Sequence, residues 1–239
     1  MSITLIVPIY NDLRCVEALC QDFLEIRQGE IDLLIVDNGS DDASALTQLT
    51  SINPNRIRVL RLEANLGFGG GIQEGLRAAQ TDWVVWMPGN MKVRPSRLTS
   101  FISHLNDSNK LALIKARRSG RGAIARMKTA LASAAQSVGT LTPMADTGGT
   151  PTAIYRSSRI FELALVGPKD YTFESYILFL ANRIKAQVIR VPVPYGERLF
   201  GNSHWQSGFR SEIVLMWKIF SGIPRWKRVV DSELQGQVR

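Results

Sequence analysis

The chain has 239 residues, 45% of them hydrophobic, and a formal net charge of +8. That is enough apolar material to bury a large core, and it excludes a wholly disordered chain. The positive balance points to an anionic partner: a phosphorylated ligand, nucleic acid or an anionic membrane surface.

In chain order, "ITLIVPI" (3–9) is a continuous apolar, β-branched run and predicts a buried strand. "DLRCVEALCQDFLEI" (12–26) then spaces its apolar residues as a helix does. "IDLLIVD" (31–37) predicts a second strand, and "DDASALTQLTS" (41–51) a short helix opened by acids. "IRVLRLE" (57–63) is a third strand, "GFGGGIQEGLRAAQ" (67–80) a Gly-rich turn and helix, and "DWVVWM" (82–87) a fourth strand. In the second half, "IKARRSGRGAIARMKTALASAAQ" (114–136) reads as a strand end, a basic loop and a helix. "ADTGGTPTAIYRSS" (145–158) brings Asp146, a Gly turn and a strand. "GPKDYTFESYILFLANR" (167–183) predicts a helix capped by Asp170. In the tail, Phe209, Ile213, Met216, Trp217 and Phe220 recur at helical spacing, and Arg225, Lys227 and Arg228 follow.

Strands that are apolar throughout and separated by helices imply an α/β fold. The expected architecture is a Rossmann-like, mostly parallel sheet with helices on both faces. Ligands of such sheets sit at the carboxyl ends of the strands. Cys15 and Cys20 lie close together without a metal spacing and read as the reduced thiols of a cytoplasmic protein. "MSITLIVPIYND" lacks the basic start of a signal peptide. No run of about 18 apolar residues predicts a membrane-spanning helix.

The strand ends carry the chemistry. Asp37, Asn38 and Ser40 can hydrogen-bond a base edge or ribose hydroxyls. The glycines after Asn65 either bring a helix N-terminus close to an anion or only permit tight helix–sheet packing. "GFGGG" is neither the dinucleotide fingerprint nor a P-loop.

Taken together, "IVPIYND", "IVDNGSDD", "NLGFGGGIQEGLRAA" and "DWVVWMPGN" resemble, in order and spacing, the family 2 glycosyltransferases of the GT-A fold. The match covers about the first hundred residues well. In looser form it reaches "YGERLFGNSHW", which looks like the Arg-x-x-Gly-x-Ser-Lys-Trp element of the polyprenyl-phosphate sugar transferase branch, with His204 in place of lysine. The resemblance implies a nucleoside-diphosphate sugar donor. Its base would lie near Pro8, Tyr10, Asp37 and Asn38, with Asn11, Gly67, Gly69, Pro88, Gly89 and Asn90 completing the donor site. It divides the chain into a nucleotide-sugar half (1–105), an acceptor half (106–205) and a C-terminal helix with a basic tail (206–239). Asp146, Glu174 and Arg198 would be catalytic, and Arg117, Arg126, Arg198, Ser203 and His204 would hold phosphate or acceptor.

One departure stands out. Where the family has Asp-x-Asp for a divalent ion, this chain has Pro88-Gly89-Asn90. A hard cation wants carboxylate oxygens, and Asn90 offers one neutral carbonyl. Mg²⁺ or Mn²⁺ is therefore expected to be weakly held or replaced by fixed cations. Candidates abound: no acid lies between Asp107 and Asp146, a span containing Lys115, Arg117, Arg118, Arg121, Arg126 and Lys128. Lys92 and Arg94 also follow the altered loop. The alternative for this basic run is a solvated face.

The expectation is an inverting glycosyltransferase acting on polyprenyl phosphate in cell-envelope glycan assembly. Alternatives are the same donor with a saccharide-hydroxyl acceptor, Glu174 or Asp146 serving as base, or an inactive nucleotide-sugar-binding member. The expected location is cytoplasmic, with the aromatic and cationic tail reading as a peripheral contact with the inner face of the membrane or as packing on the sheet or a second subunit. A nucleic-acid partner is not expected, because the cations lack interleaved stacking aromatics.

Overall fold

A computed structural model describes residues 1–12, 14–27, 30–42, 46, 53–197 and 209–235. The elements run β1 (Ser2–Ile9), α1 (Arg14–Leu24), β2 (Glu30–Asp37), β3 (Ile57–Arg61), α2 (Gly67–Ala78), β4 (Trp83–Trp86), α3 (Thr99–Asp107), β5 (Leu113–Ser119), α4 (Ala123–Thr140), β6 (Thr152–Tyr155), α5 (Arg159–Ala164), α6 (Phe173–Arg183), β7 (Val188–Pro194) and α7 (Phe209–Gln235). The strands form one seven-stranded sheet in the order β3-β2-β1-β4-β6-β5-β7. Only β6 runs antiparallel, against both β4 and β5. The mostly parallel α/β sheet expected from the sequence is the one observed.

Both faces of the sheet are covered. On one, Val16, Leu19 and Phe23 of α1 and Phe101 and Leu105 of α3 pack on Leu5, Val7, Leu33 and Val85. On the other, Ile72 and Leu76 of α2, Phe173 to Ala181 of α6 and Trp226 of α7 pack on Ile6, Val36, Val84 and Trp86. Alternate residues of β1 thus enter different cores, which is why its run is apolar throughout. Cys15 and Cys20 are buried and form no disulfide, and burial followed by the nearby Glu17 charge pushes Cys20 up to about 11.

Three elements lay outside the sequence reading: α3, α5 and β7. β7, "VIRVPVP", holds two prolines, which would break a central ladder. It is the edge strand beside β5, and Pro192 and Pro194 are exposed. A missing N–H costs nothing on that side. Asp170 was expected to cap α6. Instead its Oδ1 accepts from Thr172 N at 3.0 Å and Thr172 Oγ1 at 2.6 Å, one turn earlier, and the helix starts at Phe173. The short helix expected at 41–51 falls almost wholly outside the described residues.

Gly75 shows how closely α2 lies on the sheet. A Cβ there would come within 2.4 Å of Ile6 Cγ2 and 3.2 Å of Val36 Cγ2. Both neighbours are β-branched and buried, so neither can swing aside. Gly75→Ala is expected to destabilise the fold by about 1–3 kcal/mol through overpacking, despite alanine's better helix propensity. Urea unfolding measures this, and an unchanged or raised midpoint would contradict it.

Candidate active site

The ends of β1 and β2 form the first wall. The chain leaves β1 through Tyr10, 42% exposed, and Asn11, whose φ is +50°. Asn11 and Asp41 clasp each other: Asn11 Nδ2 donates to Asp41 Oδ2 and Asp41 N to Asn11 Oδ1, each at 3.0 Å. Asn11 N donates to Ser40 Oγ at 3.0 Å. Asp37 is fully buried. Its Oδ1 accepts from Ser40 N at 3.0 Å, while Oδ2 has no hydrogen bond and faces Arg61 Nη1 at 3.7 Å. Pro8 is buried beside them. Of the expected base-binding residues, Tyr10 presents a surface and Asp37 a buried oxygen without a hydrogen bond.

Asn38 has another task. Its Nδ2 donates to Gly67 O at 2.9 Å and Asn65 Oδ1 at 3.1 Å, and its Oδ1 accepts from Leu66 N at 3.0 Å. The side chain is spent on shaping the turn into α2. The glycines there are also occupied. A Cβ at Gly67 (φ +80°) would meet Lys169 O at 2.6 Å, and one at Gly69 would meet Pro168 O at 2.4 Å. Gly70 N donates to Lys169 O at 2.8 Å. The loop before α6 therefore fills the space in which an anion was expected, and the tight-packing alternative describes these glycines.

At the end of β4, Gly89 lies over β1. A Cβ there would be 2.8 Å from Ile9 Cγ2. Pro88 is half-buried, and Asn90 Oδ1 accepts from Lys92 N at 3.2 Å, closing a local turn. Among the described residues no group of three or more His, Cys, Asp or Glu could hold a metal ion. A single neutral oxygen already bonded to a backbone N–H does not fit a divalent ion's demand for hard anionic ligands.

The second half builds the opposite wall around two ion pairs. Lys115 has no exposure at all, although it belongs to the basic run. Its Nζ pairs with Glu174 Oε2 and donates to Thr152 Oγ1 at 2.9 Å. Glu174, 6% exposed, also accepts from Trp86 Nε1 at 2.6 Å and Thr152 Oγ1 at 3.1 Å. Burial pushes the Lys115 ammonium below its ordinary range, against the opposing pull of Glu174. Arg118 pairs with Asp146 through Nε and Nη2. Burial raises the Asp146 carboxyl, but Arg118 outweighs this and leaves it below the usual carboxylate range. Arg190 donates to Asp146 O at 3.2 Å. Lys115 was counted from the sequence only among the cations available to a phosphate, and Trp86 and Arg190 were not singled out. A lysine between Ile114 and Ala116 in an apolar strand was the available signal.

Arg117 and Arg126 are exposed, and neither has an ion-pair partner among the described residues. Arg121 donates to Thr129 Oγ1 at 2.7 Å. Arg198, Ser203 and His204 lie outside the described residues.

Residues 4–161 match the family model described as glycosyl transferase family 2. The chain belongs to that family. It is a glycosyltransferase with the GT-A fold. The undecaprenyl-phosphate mannosyltransferase of Micrococcus luteus is 24% identical over 241 residues, covering 95% of this chain and 97% of that protein. The undecaprenyl-phosphate 4-deoxy-4-formamido-L-arabinose transferase of Proteus mirabilis is 23% identical over 225 residues, covering 92% of this chain and 67% of that one. Glucosyl-3-phosphoglycerate synthase of Mycobacterium tuberculosis, solved with Mn²⁺, UDP and glucosyl-3-phosphoglycerate, superposes with a TM-score of 0.66 at 19% identity, covering 94% of this chain and 79% of that chain. That likeness carries the fold, not the metal site.

Two outcomes follow from this geometry. Lys115→Met and Glu174→Gln, each leaving a buried charge unpaired, are expected to cost about 3–5 kcal/mol apiece. The double variant should cost much less than their sum, as read by urea unfolding; strict additivity would mean the pair is not coupled. Nucleoside-diphosphate binding, followed by calorimetry, should survive EDTA. Binding abolished by the chelator and restored by Mn²⁺ would show that ligands exist elsewhere.

Proposed function

We propose that this glycosyltransferase moves a sugar from a nucleoside-diphosphate donor to a polyprenyl phosphate, with inversion at the anomeric carbon, in cell-envelope glycan assembly. The observation that carries the reading is the state of the charged side chains. Both candidate bases, Glu174 and Asp146, are committed to ion pairs, while Arg117 and Arg126 stand exposed and unpaired among the described residues. A hydroxyl acceptor needs a base to take its proton. A phosphate acceptor arrives ionised and needs cations. The named activities of the relatives from Micrococcus and Proteus support the same acceptor class.

In this reading the donor base sits against Tyr10 and Asp37. The acceptor phosphate oxygen attacks C1 of the sugar from the side opposite the diphosphate. The bond from C1 to the diphosphate oxygen breaks, and the nucleoside diphosphate leaves with the electron pair. Arg117 and Arg126 offset the phosphate charge that would otherwise repel the two substrates. Glu174 and Lys115 position Thr152 and Trp86 and move no proton. In the saccharide-acceptor reading both candidate bases, Glu174 and Asp146, are already held in ion pairs. No helix among the described residues is long and apolar enough to cross a membrane.

The test is transfer to a short-chain polyprenyl phosphate. Arg117→Ala and Arg126→Ala should each lower the rate about 10–100-fold, from charge-assisted contacts worth roughly 1.5–3 kcal/mol. Arg121→Ala, whose guanidinium is held by Thr129, should do less. Lys115→Met/Glu174→Gln removes the carboxylate without stranding a charge and should stay within about tenfold, whereas losing a base costs about 10²–10⁴. Collapse of that double variant with its fold intact, or transfer only to soluble saccharides, would overturn the proposal.

A further inference from the structure

The helix α4 is built inside out. Its inward face is polar. Gln136 and Thr140 are buried, Ser137 Oγ accepts from Met144 N at 2.9 Å, and Ser133 Oγ accepts from Asp146 N at 3.0 Å. Its outward face is apolar. Ile124, Met127, Leu131, Ala134 and Val138, with Leu141 at the cap, follow one another at alternating steps of three and four residues. The large ones are 71%, 58%, 65%, 76% and 82% exposed in that order. Steps of three and four place all six along one line of the helix. A solvated surface helix carries the opposite pattern. No described residue lies over the stripe.

Charge says what covers it. The helix has no acid, and none occurs anywhere between Asp107 and Asp146. Exposed Arg126 lies in the first turns of α4, and exposed Arg117 in the strand that precedes it. The neighbouring α7, which packs on α4 where Phe220 meets Gly139, adds Trp217, 68% exposed. An apolar line on a helix without acids, with arginines towards its start and a tryptophan beside it, suits an anionic lipid surface: apolar side chains enter the acyl boundary while arginine meets headgroups. A second copy of the chain would bring no acid to these cations from the same helix. We propose that α4 is a membrane-docking helix, lying on an anionic bilayer through the stripe from Ile124 to Leu141. The inference rests on the stripe and its charges, not on the acceptor read above. A chain that docks but glycosylates a soluble acceptor would retain this inference and lose that one.

The test is flotation of the full chain with vesicles of phosphatidylcholine alone and of phosphatidylcholine with phosphatidylglycerol. The protein should float with the anionic vesicles and be released by high salt. Met127→Glu/Leu131→Glu, both at exposed positions, should weaken that binding at least about tenfold with the unfolding midpoint unchanged. Leu111→Glu, 61% exposed but off the stripe, should leave it intact. Unchanged flotation of the stripe variant would overturn the proposal, as would no binding to either vesicle. So would a dimer, seen by sedimentation, that Leu131→Glu dissociates.

Discussion

The buried ion pair between Lys115 and Glu174 is the contact on which the architecture turns. It joins β5 to α6, and Thr152 of β6 and Trp86 of β4 bond into it. β6 is the one antiparallel strand, inserted between the parallel run that ends in β4 and the parallel pair of β5 and β7. Two halves of a sheet meet there. Desolvating two charges is costly, and a well-packed apolar substitute would often be as stable. What the pair supplies is geometry: a lysine with three donors and a carboxylate with several acceptor sites fix four elements at once, where apolar contacts would tolerate sliding. In the proposed reaction the same contact removes Glu174 from proton chemistry, which would link the stability of the sheet to the choice of acceptor through one carboxylate.

The fold was legible where burial on both faces forces a sequence to be apolar throughout. The runs at β1, β2 and β4 have no polar alternation, and the sheet order makes them central or near-central. β7 was not legible, because Pro192 and Pro194 argue against a strand until its place at the edge is known. The site was harder for a related reason. Lys115 and Arg117 share a face of β5 by strand periodicity, and counting charges treats them alike. The register separates them. Lys115 lies opposite Thr152 at the start of β6, while Arg117 projects beyond β6 and stays exposed. How far a neighbouring strand reaches is a tertiary fact that no residue pattern announces. Asn38 and the Gly-rich turn are ambiguous for a different reason. Their residue types suit a ligand, and they equally suit the loop at 168–170 that occupies the space.

The altered β4 end and the basic segment belong to one electrostatic account. A family site with two carboxylates and a divalent ion carries its positive charge only when the ion is present. Here Pro88, Gly89 and Asn90 supply no such carboxylates, and the carboxylate of Asp146 is already neutralised by Arg118. In the proposed reading positive charge is instead permanent and covalent, in Arg117 and Arg126. In the proposed reaction two phosphate-bearing substrates must approach each other, and fixed guanidiniums lower that repulsion before either arrives. They also shift the affinity from metal concentration to ionic strength, since exposed charges are screened over about 8–10 Å at physiological salt.

In the proposed docking, the placement of α4 ties this charge to the membrane. The helix begins four residues after β5 ends, at the carboxyl edge of the sheet where ligands of parallel α/β folds bind. Its first turn carries no acid, and its N-cap, Gly122, has no side-chain cap, so the N–H groups there add to the positive field of the arginines. A polyprenyl phosphate is itself divided: its phosphate wants cations in water and its chain wants hydrocarbon. An inside-out helix satisfies both demands along one axis, cations at its start and an apolar line behind them. Polar residues on the inward face of α4 are the counterpart of this arrangement. Ser133 and Ser137 tie the helix to the segment that follows it by accepting from Asp146 N and Met144 N, which leaves its apolar residues available to a lipid surface. The docking and acceptor proposals thus draw on the same charges while remaining separable by experiment.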